Sequence, residues 1–534
     1  MTEKPGGLKE GILENARSLR EGLLGIDKQL AVGVIAVLLL VLGYFFIYIP
    51  LQKTDVHVRV YDNGTGKPIE AKVVLLGEHQ VILEKETLNG AANFIGVLRR
   101  KGMRVAVTAN GYLAGGGDAL DWTDVYLEKQ VAAPSKADFL IISAKAALAR
   151  KYGEATAGII ERKMHDLANV AKGEGLKSEV VMIDNAASMK PFGAAAANTQ
   201  SKQSALAAVK ALTQRLAPAY ILIVGGERIV PYQLAQNPLA ASPERLAFDF
   251  IIQESPTIET DNPYGVLHDY GEAGKYYPEI AVGRMPDGSE ETADGDTILI
   301  EMLDNAISQH KKKAPSARTF SLVSDDSLLD YYAKFEFQST QNNVLKSPAF
   351  YYYDYEKMAV NGHALETIRQ GVANSSFVII LLHGNEPGQE QAFLGKGFNT
   401  NEELLSLTAP MAGQMDFNGK VVLADSCWGA NTDRTSKGSI ALAALRGGAK
   451  AFVGSTQAAL SISRSSYKPQ ASAQGIEYLG VSNSLLYLTF KNALLGQRLG
   501  DAFTKAKRSL SWGSYPEYLT AQEFVYYGDP TLYA

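Results

Sequence analysis

Two apolar runs in the C-terminal half of the sequence each end in residues able to do chemistry. Ser376-Phe377-Val378-Ile379-Ile380-Leu381-Leu382 leads into His383-Gly384-Asn385-Glu386, and Lys420-Val421-Val422-Leu423-Ala424 leads into Asp425-Ser426-Cys427-Trp428-Gly429. The histidine and the cysteine, about 44 residues apart, are the pair that thiol catalysis requires. A thiol with an ordinary pKa near 8.5 is mostly protonated at neutral pH, and a neighbouring imidazole accepts its proton. The same imidazole returns a proton to a leaving amine. Gly384 and Gly429 keep bulk away from a reacting carbonyl, and the amides of Gly384 and Cys427 are candidates for holding its oxyanion. Cys427 is the only cysteine among 534 residues, which excludes an intrachain disulfide and a cysteine-based metal cluster. A lone cysteine is otherwise a small buried hydrophobe. Each run alone is a weak signal; the two together are a strong one.

Strands must deliver these residues, and from Ala137 onward the sequence supplies them. Phe139–Ile142, Val180–Ile183 and Tyr220–Val224 are apolar strand runs, separated by helical stretches over Ala155–Ala171 and Ser204–Leu216. Phe320–Val323, Phe377–Leu382, Val421–Ala424 and Ala451–Val453 repeat the scheme. Strands alternating with helices make an α/β fold with a parallel sheet, in which functional groups collect at the strand ends. Two α/β subdomains are expected, 137–313 and 314–534, with Lys311-Lys312-Lys313 and Pro315 in an exposed connection between them.

The N-terminal part reads differently. Val56–Tyr61 alternates in polarity, Asp62–Pro68 is a turn, and Ala71–Leu76, Thr87–Phe94 and Arg104–Thr108 continue the pattern. Short strands at this spacing predict a small antiparallel β-sandwich over 54–129, with a linker at Gln130–Lys136. His57 and His79 have no metal-ligand spacing and read as surface or packing residues. Leu30–Leu51 carries no charge and is long enough for a transmembrane helix. Tyr44, Phe45, Phe46 and Tyr48 suit its interface, and Lys4, Lys9, Arg17, Arg20 and Lys28 favour a cytoplasmic segment 1–29. Everything after the span is then expected outside the cytoplasm. Lys and Arg number 52 against 57 Asp and Glu, spread along the chain. No basic face for nucleic acid emerges from that balance.

The blocks Leu381-Leu382-His383-Gly384 and Leu423-Ala424-Asp425-Ser426-Cys427 resemble the caspase-like cysteine peptidases. Further segments resemble gingipain-type peptidases in particular: Ala217–Gly226 with Ile229-Val230-Pro231, Thr260–Gly265, Tyr276–Arg284, Gly448–Thr456 and Tyr527–Leu532. The β segment resembles carboxypeptidase-regulatory-like or transthyretin-like domains through Thr65–Val73 and Ala109–Tyr112. The resemblance implies a caspase/gingipain-like parallel-sheet sandwich in two subdomains, with Cys427 as nucleophile and His383 as general acid/base. It implies an acidic residue orienting the histidine; Asp261 is the nearest fit and Glu259 the next, while a plain turn role for Asp261 stays open. Asp425 and Trp428 fall where a substrate pocket would lie, and Gly454, Ser455 and Thr456 where substrate backbone would bind. Lys275 stands near the position of the carboxylate that selects basic P1 residues in gingipains, with Asp269 and Glu272 within reach. His268 and His363 read as loop and helix residues. Gingipains bind calcium, but no dense Asp/Asn run appears, and neither a metal nor a cofactor is expected. The chain departs from the family in beginning with a membrane span and in the length of the loop bearing Lys275.

The expected protein is therefore a membrane-anchored cysteine endopeptidase acting on polypeptides, tied to the lipid bilayer through residues 30–51. Two alternatives stay open: a catalytically silent binding or scaffold protein with the same fold, and a thiol transpeptidase.

Overall fold

The structure, a computed structural model, describes residues 53–127, 136–237, 256–268, 276–289, 297–312, 320–324, 364–385, 390–396, 403–433, 438–459, 481–510 and 515–534, less residues 64, 78–80, 100–101, 111 and 113 of the first stretch. The expected span 30–51 and the segment before it lie outside the described residues. Among the described residues no helix is long and apolar enough to cross a membrane. The chain divides into two compact units, Met1–Gln130 and Val131–Ala534.

In the first unit, residues of alternating polarity form strands with one buried face. These are β1 (Lys53–Asp62), β2 (Lys72–Leu76), β3 (Val81–Glu86), β4 (Ala91–Leu98), β5 (Arg104–Thr108), β6 (Gly115–Asp118) and β7 (Trp122–Leu127). They make two sheets, β4-β1-β7 and β3-β2-β5-β6. Val56, Val58 and Val60 of β1 join Phe94, Val105, Val107 and Leu127 in one apolar core. The pairing is antiparallel except between β1 and β7, which run parallel. The sequence expectation of a wholly antiparallel domain is corrected at that one pair, because the first and last strands meet side by side.

The second unit is α/β. Its strands are β8 (Phe139–Ser143), β9 (Ser178–Met182), β10 (Tyr220–Val224), β11 (Gln233–Gln236), β12 (Thr257–Thr260), β13 (Ala281–Met285), β14 (Phe320–Ser324), β15 (Phe377–Leu381), β16 (His383–Gly384), β17 (Ala392–Lys396), β18 (Glu403–Thr408), β19 (Val421–Asp425), β20 (Ala451–Ser455) and β21 (Phe524–Gly528). Nine of them form one sheet in the order β14-β15-β19-β20-β21-β13-β10-β8-β9. Strands from both expected subdomains thus share a single sheet. β14, β15, β19 and β20 run parallel to one another, and so do β13, β10, β8 and β9. β21 runs antiparallel to β20 and lies between it and β13.

Every residue of β10, β15, β19, β20 and β21 is buried. That is why these strands read as unbroken apolar runs: helices cover both faces. The principal helices are α1 (Lys145–Gly173), α2 (Lys202–Leu216), α3 (Ile298–His310), α4 (Ala364–Ala373), α5 (Ile440–Arg446), α6 (Val481–Leu494), α7 (Leu499–Ser509) and α8 (Tyr515–Glu523). Side-chain caps start several of them. Ser201, Thr297 and Ser439 accept from the amides of Ser204, Ile300 and Leu442, satisfying donors that the first helical turn leaves open. Phe377 on β15 meets Phe490 on α6 edge-on, with ring centroids 4.9 Å apart.

Candidate active site

β15 and β19 are parallel neighbours in register, Leu381 opposite Asp425. Both chains therefore leave the sheet at the same edge, one into His383 and the other into Cys427. His383 opens a small antiparallel ribbon, β16-β17-β18, in which it pairs with Leu394 and Gly384 pairs with Phe393. This ribbon holds the His-Gly backbone against the cysteine turn. A Cβ on Gly384 would stand 1.9 Å from the Cys427 carbonyl oxygen and 2.8 Å from its carbon. Only glycine fits there.

Cys427 is half-buried, and its Sγ lies 3.8 Å from the Ala459 carbonyl oxygen. Burial is the largest influence on the thiol and pushes it up to about 11. A backbone hydrogen bond at Ala459 opposes that rise, Glu523 and Asp425 add to it when ionised, and a backbone hydrogen bond at Gly384 opposes it again. Such a thiol is no nucleophile unaided; it needs a base at the moment of attack.

The residues following β19 and β20 interlock beside it. The Trp428 amide donates to the Gln457 carbonyl at 2.7 Å, and the Ala430 amide to the Ser455 carbonyl at 2.8 Å. Gly454 lies against Gly429 and Ala430, so Gly454, Ser455 and Thr456 sit next to the cysteine turn. Trp428 adopts φ 50°, the left-handed region that non-glycine residues rarely occupy. Trp428 lines a cavity of about 190 Å³ together with Lys151, Glu227, Glu259, Asp287 and Thr456. Burial, the largest cause, raises the Glu259 carboxyl, and the Glu227 charge adds to the rise. Lys151 and the Tyr152 hydroxyl both bind the Asp287 carboxylate.

Asp425 and Asp261 each have partners of their own. Asp425 faces the helix layer: its Oδ2 accepts from Ser482 Oγ at 2.9 Å and Asn483 Nδ2 at 2.5 Å, and it does not line the cavity. Asp261 is buried and accepts from Arg284 Nε at 2.8 Å and Nη2 at 2.6 Å, one bond on each oxygen. Arg284 also donates to the carbonyls of Gly225 and Val230 and stacks over Tyr232, 4.0 Å from the ring centroid. Lys275, Asp269, Glu272, His79 and His363 lie outside the described residues. His268 is held by Glu279 at 2.6 Å, and His57 bonds Asn93 and stacks on Trp122. Among the described residues no group of three or more His, Cys, Asp or Glu is placed to hold a metal ion.

Sequence reasoning missed Arg284 and Glu523, two fully buried ionisable residues near the site. Each leaves a trace: Arg284 interrupts the apolar run Ile280–Met285, and Glu523 stands directly before Phe524–Tyr527. A charge abutting a buried strand has to be paired or neutralised.

Three comparisons bear on this geometry. The model of peptidase family C25 matches residues 132–534. No curated protein sequence matches the chain. Among solved structures, the Saccharomyces cerevisiae separase–securin complex aligns at 11% identity over 47% of this chain and 14% of that chain, with a TM-score of 0.28. A likeness that small carries no argument.

Proposed function

Because the chain belongs to peptidase family C25, whose members are cysteine peptidases, we propose that it is a membrane-anchored endopeptidase using Cys427 and His383. The observation that carries this reading is the joining of the two strand ends, with the Gly384 backbone seated on Cys427. In this reading His383 takes the thiol proton as the sulfur attacks the scissile carbonyl. The oxyanion is held by the amides of Gly384 and Cys427. Collapse of the tetrahedral intermediate breaks the C–N bond, and His383 gives its proton to the departing amine. Water then hydrolyses the thioester, with His383 again as base.

Substrate backbone runs along Gly454–Thr456, and Trp428 walls the adjoining pocket. Asp261, bonded on both oxygens to Arg284, enters this reading as half of a buried ion pair, and the chemistry needs only the dyad. P1 selection is assigned to the loop carrying Lys275. The run 30–51 anchors the protein, with residues 1–29 cytoplasmic and the peptidase outside.

The test incubates the protein with a mixed peptide library and a reducing agent, then sequences the products. Cys427→Ala should lower turnover by about 10³-fold or more and His383→Ala by about 10²–10⁴-fold. Equal turnover by Cys427→Ala would end the cysteine-peptidase reading. No cleavage by the wild type would favour the binding-protein alternative. The anchor is checked by fractionation: the full chain should pellet with membranes, and recovery in the soluble fraction would remove that part of the proposal.

A further inference from the structure

Glu523 ends α8 and leads into β21, one residue before Phe524 pairs with Ser455 of β20. Its carbonyl accepts from the Thr456 amide at 2.9 Å and from Thr456 Oγ1 at 3.1 Å. The main chain is thereby tied to the strand end beside the nucleophile turn. The side chain is fully buried, and neither carboxyl oxygen has a hydrogen-bond partner. A buried carboxylate anion without a donor is costly, and the usual response is to keep its proton.

Three ionisable groups act on or are acted on by Glu523. Asp425 comes from β19, Cys427 from the turn after it, and Lys507 from α7. Lys507 lowers the Glu523 carboxyl, but by less than burial and the Asp425 charge raise it; its Nζ donates to Asn262 Oδ1 at 2.6 Å, and burial pushes its own pKa down to about 7. Asp261, just after β12, is bound to Arg284, and Glu259 on β12 opens into the cavity. From α6 come the uncharged Ser482 and Asn483, and both donate to Asp425. The two carboxyl groups therefore differ in one decisive respect. Asp425 has donors that stabilise its anion, and Glu523 has none.

We propose that Asp425 and Glu523 form a buried acid pair holding one proton, carried by Glu523, so that a single negative charge lies behind the Cys427 turn. Two carboxyls in one low-dielectric site cannot both ionise at neutral pH. Burial, followed by the Asp425 charge, raises the Glu523 carboxyl well above the usual carboxylate range. The consequence for Cys427 is electrostatic: a second anion in this position would hold the thiol protonated more firmly still. Glu523 is thus a positioning residue: held neutral, it keeps a second negative charge away from the nucleophile. Its bearing on catalysis rests on Cys427 being the nucleophile.

Infrared difference spectroscopy on the full chain tests the pair directly. At pH 7 the wild type should show the carbonyl band of a protonated carboxyl, and Glu523→Gln should lack it. In Asp425→Asn that band should persist but titrate at a pH lower by about one unit or more, since the neighbouring anion is gone. Iodoacetamide labelling of Cys427, the sole cysteine, should show a lower apparent thiol pKa in Asp425→Asn, with about tenfold faster labelling one unit below the wild-type pKa. A missing band in the wild type, or one surviving in Glu523→Gln, would overturn the proposal. So would a band that titrates identically in Asp425→Asn. If Glu523→Gln fails to fold, Glu523→Met provides the same subtraction. None of these readings needs turnover, so a chain that cleaves no peptide would sink the peptidase reading and leave this one standing.

Discussion

Gly384 shows how a side chain can be excluded by backbone at the end of the neighbouring strand. A methyl group there would overlap the Cys427 carbonyl oxygen at 1.9 Å and approach its nitrogen to 3.0 Å. Those atoms are backbone and cannot swing aside as the end of a flexible side chain would. Gly384→Ala should therefore push the cysteine turn out of place. The expected loss is about 10²-fold in kcat, with a smaller change in KM and about 1–3 kcal/mol of stability. Steady-state kinetics alongside urea denaturation checks both, and wild-type kcat in a folded Gly384→Ala protein would refute the argument. His383-Gly384 and Cys427 were readable as residues because each ends an apolar run. That glycine is demanded by contact with the cysteine was not readable, since the contact spans 43 positions of sequence.

At the scale of elements, the ion pair between Arg284 of β13 and Asp261 after β12 ties together segments that local patterning treats as separate. Arg284 has no exposed surface, and four bonds fix its guanidinium: two to Asp261 and one each to the carbonyls of Gly225 and Val230. Removing one member leaves the other buried and uncompensated, at a cost of about 3–5 kcal/mol. Asp261→Asn and Arg284→Met should each lose stability of that order, measured by urea denaturation at pH 7. Activity per folded molecule should fall less than stability does. A stable Asp261→Asn protein without activity would instead restore Asp261 to the role of orienting His383. The motif around Asp261 was legible in the sequence, yet its partner was not, because ion pairing across strands leaves no periodic trace.

The whole second unit is closed at another place by His310, the last residue of α3. Its Nδ1 lies 3.0 Å from Glu174, just past α1, and its Nε2 lies 3.0 Å from Asp529 in the C-terminal turn. Burial, the largest single influence, lowers the imidazole pKa, but hydrogen bonds and charges from Asp529 and Glu174 together outweigh it and the net shift is upward. A raised folded pKa stabilises the folded state fully below the unfolded value of about 6.5. That contribution is lost as pH rises through the folded pKa. His310→Gln should thus cost more stability at pH 6 than at pH 9, as denaturation at the two values would show; a pH-independent difference would refute it. At this scale the division between sequence and structure is plain. Hydrophobic periodicity acts over a few residues, and so the α/β order, the strands ending in His383 and Cys427, and the alternating strands of the first unit all follow from sequence alone. Joining both strand sets into one sheet, inserting β21 beside β20, and burying Arg284, His310 and Glu523 depend on contacts between distant segments. Only the tertiary structure decided those, because a charge's partner and its loss of water are set by packing, which no local pattern records.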